Sequence, residues 1–246
     1  GGVFAGNAQI VQVDPSAAEI GRNRGVAVGI QGDLGAVVEQ LTAATADGSK
    51  EDIGPWINQL TQDRKNWQQE LRSKATGEEP LHPMDVYTNL EQHVDDDTVI
   101  IMDGGDYVQW GRSFLNARKP GRFMRLGPLS HLGAGIPYGM AAKLAYPESK
   151  VLVFIGDGAF GFYAMEYDTC MRHNIPITSV MGNDGTWGID KTFQLAYYDR
   201  AVATDLREVR YDKMIEAMGC YTEFVETPDQ VAPAVSRALA SGMPSL

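Results

Sequence analysis

Cysteine is nearly absent from this 246-residue chain, which holds only Cys170 and Cys220. Two isolated thiols, neither in a Cys-x-x-Cys pair, exclude a disulfide scaffold and dithiol redox or zinc-thiolate chemistry. They read as small buried hydrophobes in a reducing, cytoplasmic setting. Basic residues are also scarce, 21 Lys and Arg against 32 Asp and Glu, for a net charge of −11. A nucleic-acid binder draws its affinity from clustered cations, so nucleic acid is not expected as a partner. No apolar run approaches the ~18 residues that cross a bilayer, and no basic-then-apolar leader opens the chain. A membrane partner is not expected either. The chain begins on Gly1 without a methionine and stops at Leu246 in what reads as the start of an apolar strand, so both ends look cut from something longer.

What is present is a globular composition, 43% hydrophobic and 22% charged, sufficient for a sizeable core. Short β-branched runs alternate with helical stretches, the pattern of βα units around a parallel sheet. Strands are expected over 8–13, 26–30, 98–103, 123–126, 151–155, 177–181 and 221–225. Helices are expected over 16–22, 34–46, 56–74, 84–92, 107–116, 133–145, 161–173, 211–218 and 228–241, with one more starting between Trp187 and Phe193. The polar stretch 47–82, broken at 77–80, divides the chain into the end of one α/β domain (1–46), a connection (47–82) and a second α/β domain (83–246).

The apolar run 151–155 leads directly into Gly156, Asp157 and Gly158 and then into a helix. Glycines let the backbone approach a ligand closely, and amides at a helix N-terminus favour phosphate. A carboxylate beside a diphosphate repels it unless a divalent cation lies between, and magnesium prefers few carboxylates plus phosphate oxygens. Taken alone, the same three residues equally fit an Asp capping the next helix. The next strand, however, ends in Gly182, Asn183 and Asp184, with Asp184 lying 27 residues beyond Asp157. That separation carries the chain over one helix and one strand, back to the same carboxyl edge of a parallel sheet, where ligands bind. Asp157, Asp184 and a backbone carbonyl at Thr186 are therefore candidate magnesium ligands. Residues 156–161 also match G-x-G-x-x-G, which keeps a plain dinucleotide-binding module as an alternative.

Gly156, Asp157 and Gly158, followed at this spacing by Asn183 and Asp184 and flanked by 159–166 and 174–177, resemble the thiamine diphosphate enzymes. The resemblance points to the group containing acetolactate synthase, oxalyl-CoA decarboxylase, 2-hydroxyacyl-CoA lyase and benzaldehyde lyase. It covers 83–246 and implies a parallel sheet flanked by helices that holds the cofactor's diphosphate through Mg2+. The implied metal ligands are Asp157, the side chain at 184 and the carbonyl of Thr186. Position 184 is Asp where the commonest family pattern has Asn, which keeps an oxygen ligand and adds one negative charge. The loop 127–133 resembles the one that seats a bulky apolar side chain beneath the thiazolium and so bends the cofactor. Leu132 takes that place, filling a volume similar to the Met of many relatives, and the Ser130 backbone is a candidate aminopyrimidine contact. His131 stays open between an acid–base role, a substrate-side contact and packing. The loop 103–107 resembles one that meets the diphosphate from the other side through Asp106 and Tyr107, with a simple glycine turn as the alternative. Gly156, Gly158, Ala159, Trp187 and Gly188 complete the implied cofactor contacts, although Trp187, like Phe193, also reads as packing.

Residues 1–46 resemble the end of the family's Rossmann-like middle domain. In relatives that domain holds FAD or the ADP part of coenzyme A, making Asp14 a candidate ribose contact with a structural role as the alternative. The family's reaction makes or breaks a carbon–carbon bond with the thiazolium as electron sink. The stretch 185–194 departs from the acetolactate synthase pattern of a Trp between glutamines. That puts first a 2-hydroxyacyl-CoA lyase-like cleavage, reversible, to an aldehyde or ketone plus formyl-CoA, and second an acetolactate synthase-like carboligation of pyruvate. A non-catalytic homologue or regulatory subunit is the alternative of another class. Expected substrates are a 2-hydroxyacyl-CoA, a 2-keto acid, or an aldehyde or ketone. The family's activating glutamate belongs to an N-terminal domain outside these residues, so no catalytic residue is expected here. The resemblance further implies a homodimer or homotetramer with its active site at a subunit interface. Glu166 and Asp168 read as charges favoured at a helix start, and His82, His93 and His173 as solvated or capping.

Overall fold

The computed structural model describes residues 4–46, 48, 52–127 and 129–246. The chain forms two compact units, Gly1–Leu60 and Thr61–Leu246.

In the first unit, β1 (Val11–Asp14) and β2 (Val28–Gln31) pair in parallel, with Val11 opposite Val28. The helix expected over 16–22 is a single 3-10 turn, Ala17–Glu19. Gly21 at a φ of 76° closes it. Helix α1 (Leu34–Ala44) is capped by Asp33, whose carboxylate accepts the Ala36 amide at 2.9 Å. Asp14 is bound locally, its Oδ1 accepting the Ser16 amide at 2.8 Å.

The second unit contains the end of α2 (Gly54–Arg72) and then α3 (Pro83–Leu90), β3 (Val99–Met102), α4 (Asp106–Phe114), β4 (Phe123–Arg125) and α5 (Gly135–Ala145). These are followed by β5 (Val151–Gly156), α6 (Asp157–Phe160), α7 (Glu166–His173), β6 (Thr178–Gly182), α8 (Gly188–Tyr198), α9 (Tyr211–Glu216) and α10 (Pro228–Ala240). The sheet is wholly parallel in the order β4-β3-β5-β6. Its central strands are apolar at every position because both faces are covered. Side chains alternate across a strand, and the alternation sorts them into two cores. Val99, Ile101, Val151, Val153 and Ile155 pack on one face with Ile136, Phe160, Tyr167 and Ile215. Ile100, Met102, Leu152 and Phe154 pack on the other with Met84, Tyr87, Phe114 and Val235. Each such side chain buried contributes roughly 1.5–3 kcal/mol, so the two layers of helices clamp β3 and β5 firmly.

Two more expectations differ from the fold. The helix expected over 161–173 is two pieces, α6 and α7, joined by turns over 161–165. Phe162 and Tyr163 press against Gly133, where an added Cβ would meet them at 2.6 and 2.8 Å, so packing breaks the helix there. The strand expected over 221–225 is reduced to bridge pairing, in which the Tyr221 amide donates to the Pro244 carbonyl, the Leu246 amide to the Tyr221 carbonyl and the Glu223 amide to the Leu246 carbonyl. Ser245 in turn pairs with Thr178, so the apolar strand read at the end of the sequence does join the sheet, as a bridge. His82 caps α3, its Nδ1 accepting the Met84 amide at 3.0 Å, as expected of a capping histidine. Among the described residues no helix is long and apolar enough to cross a membrane.

Candidate functional site

The strand order reverses between β3 and β5: β4 follows β3 to one side, while β5 and β6 lie on the other. A parallel sheet opens a crevice at the carboxyl ends of the strands at such a switch point. Here those ends are the turns after β3 and β5. They are tied together, the Asp103 amide donating to the Phe154 carbonyl at 2.9 Å and the Gly156 amide to the Gly104 carbonyl at 3.3 Å. Gly105 follows at a φ of 106°, a conformation a side chain would strain, and starts α4 from a backbone lying against Gly156.

Asp157 sits immediately after β5 and is 2% exposed. Its Oδ1 accepts the Gly158 amide at 2.8 Å and its Oδ2 the Gly185 amide at 3.0 Å, so it spans the turn after β5 and the loop after β6. Burial raises its pKa, the nearby Asp184 raises it further, and the two amides oppose the shift. The carboxyl of Asp184 is likewise raised, by desolvation first and then by Asp106, while its Oδ1 accepts the Thr186 amide at 3.2 Å. The loop continues as a short ladder to the segment 204–206, with Trp187 and Leu206 amides donating to Thr204 and Gly185 carbonyls. Trp187 then covers the turn after β5: a Cβ on Gly158 would lie 2.8 Å from its ring.

These turns enclose a recess of about 250 Å³. Of the residues named from the sequence, Asp106, Tyr107, Ser130, Leu132, Gly156 and Asp157 line it. So do Gly158, Ala159, Asp184, Thr186, Trp187 and Gly188. His131 does not: it is exposed and its Nε2 lies 2.8 Å from the Tyr163 hydroxyl. Part of the loop 127–133, Pro128, lies outside the described residues. Gly105, Gly182, Ile189 and Asp190 also line the recess and were not singled out from the sequence. Ile189 and Asp190 had a readable signal, because the first turn of a helix starting after Trp187 must face the same edge as its start. Gly182 had none, since its role is to leave room: a Cβ there would lie 2.6 Å from the Tyr107 ring.

α6 is a four-residue turn, too short for a helix dipole to favour phosphate at its N-terminus. The electrostatics of the lining point elsewhere. Asp106, Asp157, Asp184 and Asp190 face the recess, and among the described residues no Lys, Arg or His lines it. Asp184 raises the carboxyl of Asp157, and Asp106 raises that of Asp184, so this cluster of acidic groups favours a cationic occupant. Among the described residues no group of three or more His, Cys, Asp or Glu is arranged to hold a metal by itself. A pair of carboxylates completed by phosphate oxygens suits magnesium, so the donor set fits a metal–diphosphate pair better than a bare ion. The two cysteines lie elsewhere in the core, and burial pushes Cys170 up to about 12 and Cys220 to about 11. They stay protonated, which excludes a thiolate nucleophile.

A parallel α/β domain with a glycine-lined acidic recess at its switch point defines a class of ligand-binding domain that matches one known family. The family model described as "Thiamine pyrophosphate enzyme, C-terminal TPP binding domain" covers residues 103–246. The chain belongs to the thiamine pyrophosphate enzyme family and contains its cofactor-binding domain. It is 38% identical over 248 residues to an acetolactate synthase large subunit of Mycobacterium tuberculosis, covering 100% of this chain and 45% of the relative. It is 30% identical to 2-hydroxyacyl-CoA lyase 2 of Homo sapiens over 85% of this chain and 33% of the relative. A sulfoacetaldehyde acetyltransferase of Alcaligenes xylosoxydans xylosoxydans is 28% identical over 94% of this chain and 42% of the relative. The chain thus spans less than half the length of these relatives.

Proposed function

We propose that this chain is the cofactor-holding part of a thiamine diphosphate- and Mg2+-dependent enzyme that forms or breaks a carbon–carbon bond beside a carbonyl. The observation that carries the reading is the Asp157 carboxylate, which joins the turns after β5 and β6 beside Asp184 in a recess that none of the described Lys, Arg or His residues lines. Asp157, Asp184 and the Thr186 carbonyl would hold the metal. Gly156, Gly158, Ala159, Asp106, Tyr107 and Gly188 would meet the diphosphate. Trp187, which covers the glycine turn, would shield it from water, and Leu132 and the Ser130 backbone would meet the ring part of the cofactor. When bound, the thiazolium supplies an electron sink for carbon–carbon bond chemistry. The group that activates the cofactor is expected from another domain, which makes a homodimer or homotetramer with a shared site the working assembly. Exposed Phe162, Met165, Tyr197 and Tyr198 beside or following the recess loops support such an interface. FAD or coenzyme A at the first unit remains part of the proposal for the assembled protein, as does its cytoplasmic setting.

Between the finer readings, the departure of 185–194 from the acetolactate synthase pattern favours a 2-hydroxyacyl-CoA lyase. The 38% identity over the whole chain to a relative named acetolactate synthase favours carboligation of pyruvate, and we give it precedence. The intact protein, supplied with thiamine diphosphate and Mg2+, is to be offered pyruvate and, separately, a 2-hydroxyacyl-CoA, with products identified by mass spectrometry. Acetolactate establishes the first reading, and formyl-CoA with an aldehyde or ketone the second. Cofactor binding without either product would keep the cofactor reading and remove both of these reactions from it.

A further inference from the structure

We propose that Asp103 is a positioning residue whose buried carboxylate sets Leu132 at its place in the recess; the inference rests on the thiamine diphosphate reading above. Asp103 immediately follows β3 and is 4% exposed. Its Oδ1 accepts the amides of Gly104 at 2.6 Å and Gly133 at 3.0 Å, and its Oδ2 accepts that of Gly135 at 2.7 Å. The two latter amides bracket the start of α5, whose own N-cap, Ala134, offers no side-chain acceptor. One carboxylate therefore fastens the loop that carries Leu132 to the end of the central strand.

The fit beneath that loop is close. A Cβ on Gly104 would lie 2.0 Å from Leu132 Cδ2, and one on Gly135 would lie 2.6 Å from Asp103 Oδ2. Leu132 thus rests on bare backbone at Gly104, with the Ala159 methyl beside it, at a depth set by the length of the Asp103 bonds. Asp103 itself does not line the recess, whereas Leu132 does, so any effect of Asp103 on the ligand must pass through the loop. The group must also be a carboxylate. An amide of the same shape keeps one acceptor oxygen and turns an NH2 group toward the Gly135 amide, placing donor against donor.

The test uses the intact protein and calorimetric titration with two ligands in the presence of Mg2+: thiamine diphosphate, which reaches Leu132, and inorganic diphosphate, which does not. Asp103→Asn is expected to weaken thiamine diphosphate about tenfold, the lower end of what outer partners of a ligand site contribute, while leaving inorganic diphosphate within about twofold. Leu132→Ala should show the same split, and adding Asp103→Asn to it should weaken thiamine diphosphate by less than about twofold more, since contacting residues are not additive. Equal losses for both ligands, or full multiplication of the two single effects, would overturn the proposal and leave Asp103 as a structural helix cap. Should Asp103→Asn fail to fold, Gly135→Ala strains the same bond from the other side and must give the same ligand split for the proposal to stand. Wild-type protein that binds neither ligand would refute the cofactor reading itself, an outcome separate from any effect of the Asp103 variant.

Discussion

Asp157 and Gly185, 28 residues apart, are joined by a hydrogen bond of 3.0 Å from the Gly185 amide to Asp157 Oδ2. The bond fixes the carboxylate before any ligand arrives. It also brings Asp184 against the turn after β5, so the two acidic groups converge by backbone geometry in spite of their mutual repulsion.

In the intact protein, Asp157→Ala should lower Mg2+-dependent thiamine diphosphate affinity by on the order of 100-fold or more, beyond what outer-shell partners are worth. Chelation of Mg2+ should lower wild-type affinity and have little further effect on the variant. Calorimetric titration with and without EDTA measures both, and an unchanged affinity in Asp157→Ala would remove the metal assignment.

Gly158→Ala places a Cβ 2.8 Å from Trp187 Cε3 and Cζ3. The indole must move, at an overpacking cost of about 1–3 kcal/mol, and with it the cover of the recess. Thermal unfolding should show the destabilisation, and Trp187→Leu in the same chain should restore most of it. Destabilisation that persists unchanged in the double variant would mean that the clash lies elsewhere.

His131→Ala should change cofactor affinity by no more than about twofold, the range of an ordinary surface substitution. Its ring is turned to Tyr163, at 2.8 Å from the hydroxyl, and lies outside the recess lining. A tenfold loss of affinity would return His131 to the cofactor's neighbourhood.

A pH-dependent contribution comes from Asp95, whose carboxyl is lowered to about 2 chiefly by its hydrogen bond to Lys150, with Thr98 also donating. A depressed carboxyl stabilises the fold fully above its unfolded value of about 3.9 and loses that contribution as pH falls through about 2. The pair is partly exposed, 2.6 Å apart, so its worth is at most about 1 kcal/mol. Lys150→Met should therefore cost less than about 1 kcal/mol at pH 6, with the difference shrinking toward pH 2. Any remainder reports the separate 2.9 Å bond from Lys150 to the His93 carbonyl. Urea unfolding across that range reads it, and a cost independent of pH would assign all of it to His93.

Much of the candidate site was legible because its parts are contiguous in sequence. The run 151–155 ending in Gly156, Asp157 and Gly158 is both the strand and the turn, and the 27-residue step to Asp184 spans one strand and a helical stretch that the fold divides into α6 and α7. Asp103 was legible only as part of a turn. Its partners Gly133 and Gly135 lie 30 and 32 residues away, and nothing local distinguishes a carboxylate that accepts distant amides from one that faces solvent.

By itself the sequence determined the alternation of strands and helices, the parallel sheet and the acidic pair at its carboxyl edge. Periodicity, glycine turns and spacing are local properties that survive in one dimension. The tertiary structure alone decided that the helix after Gly158 breaks at 161–165, that His131 lies outside the recess, and that Asp103 holds the Leu132 loop. Each of those outcomes follows from close packing between segments far apart in the chain, where a few ångströms at Gly104, Gly133 and Gly135 settle which side chain fits.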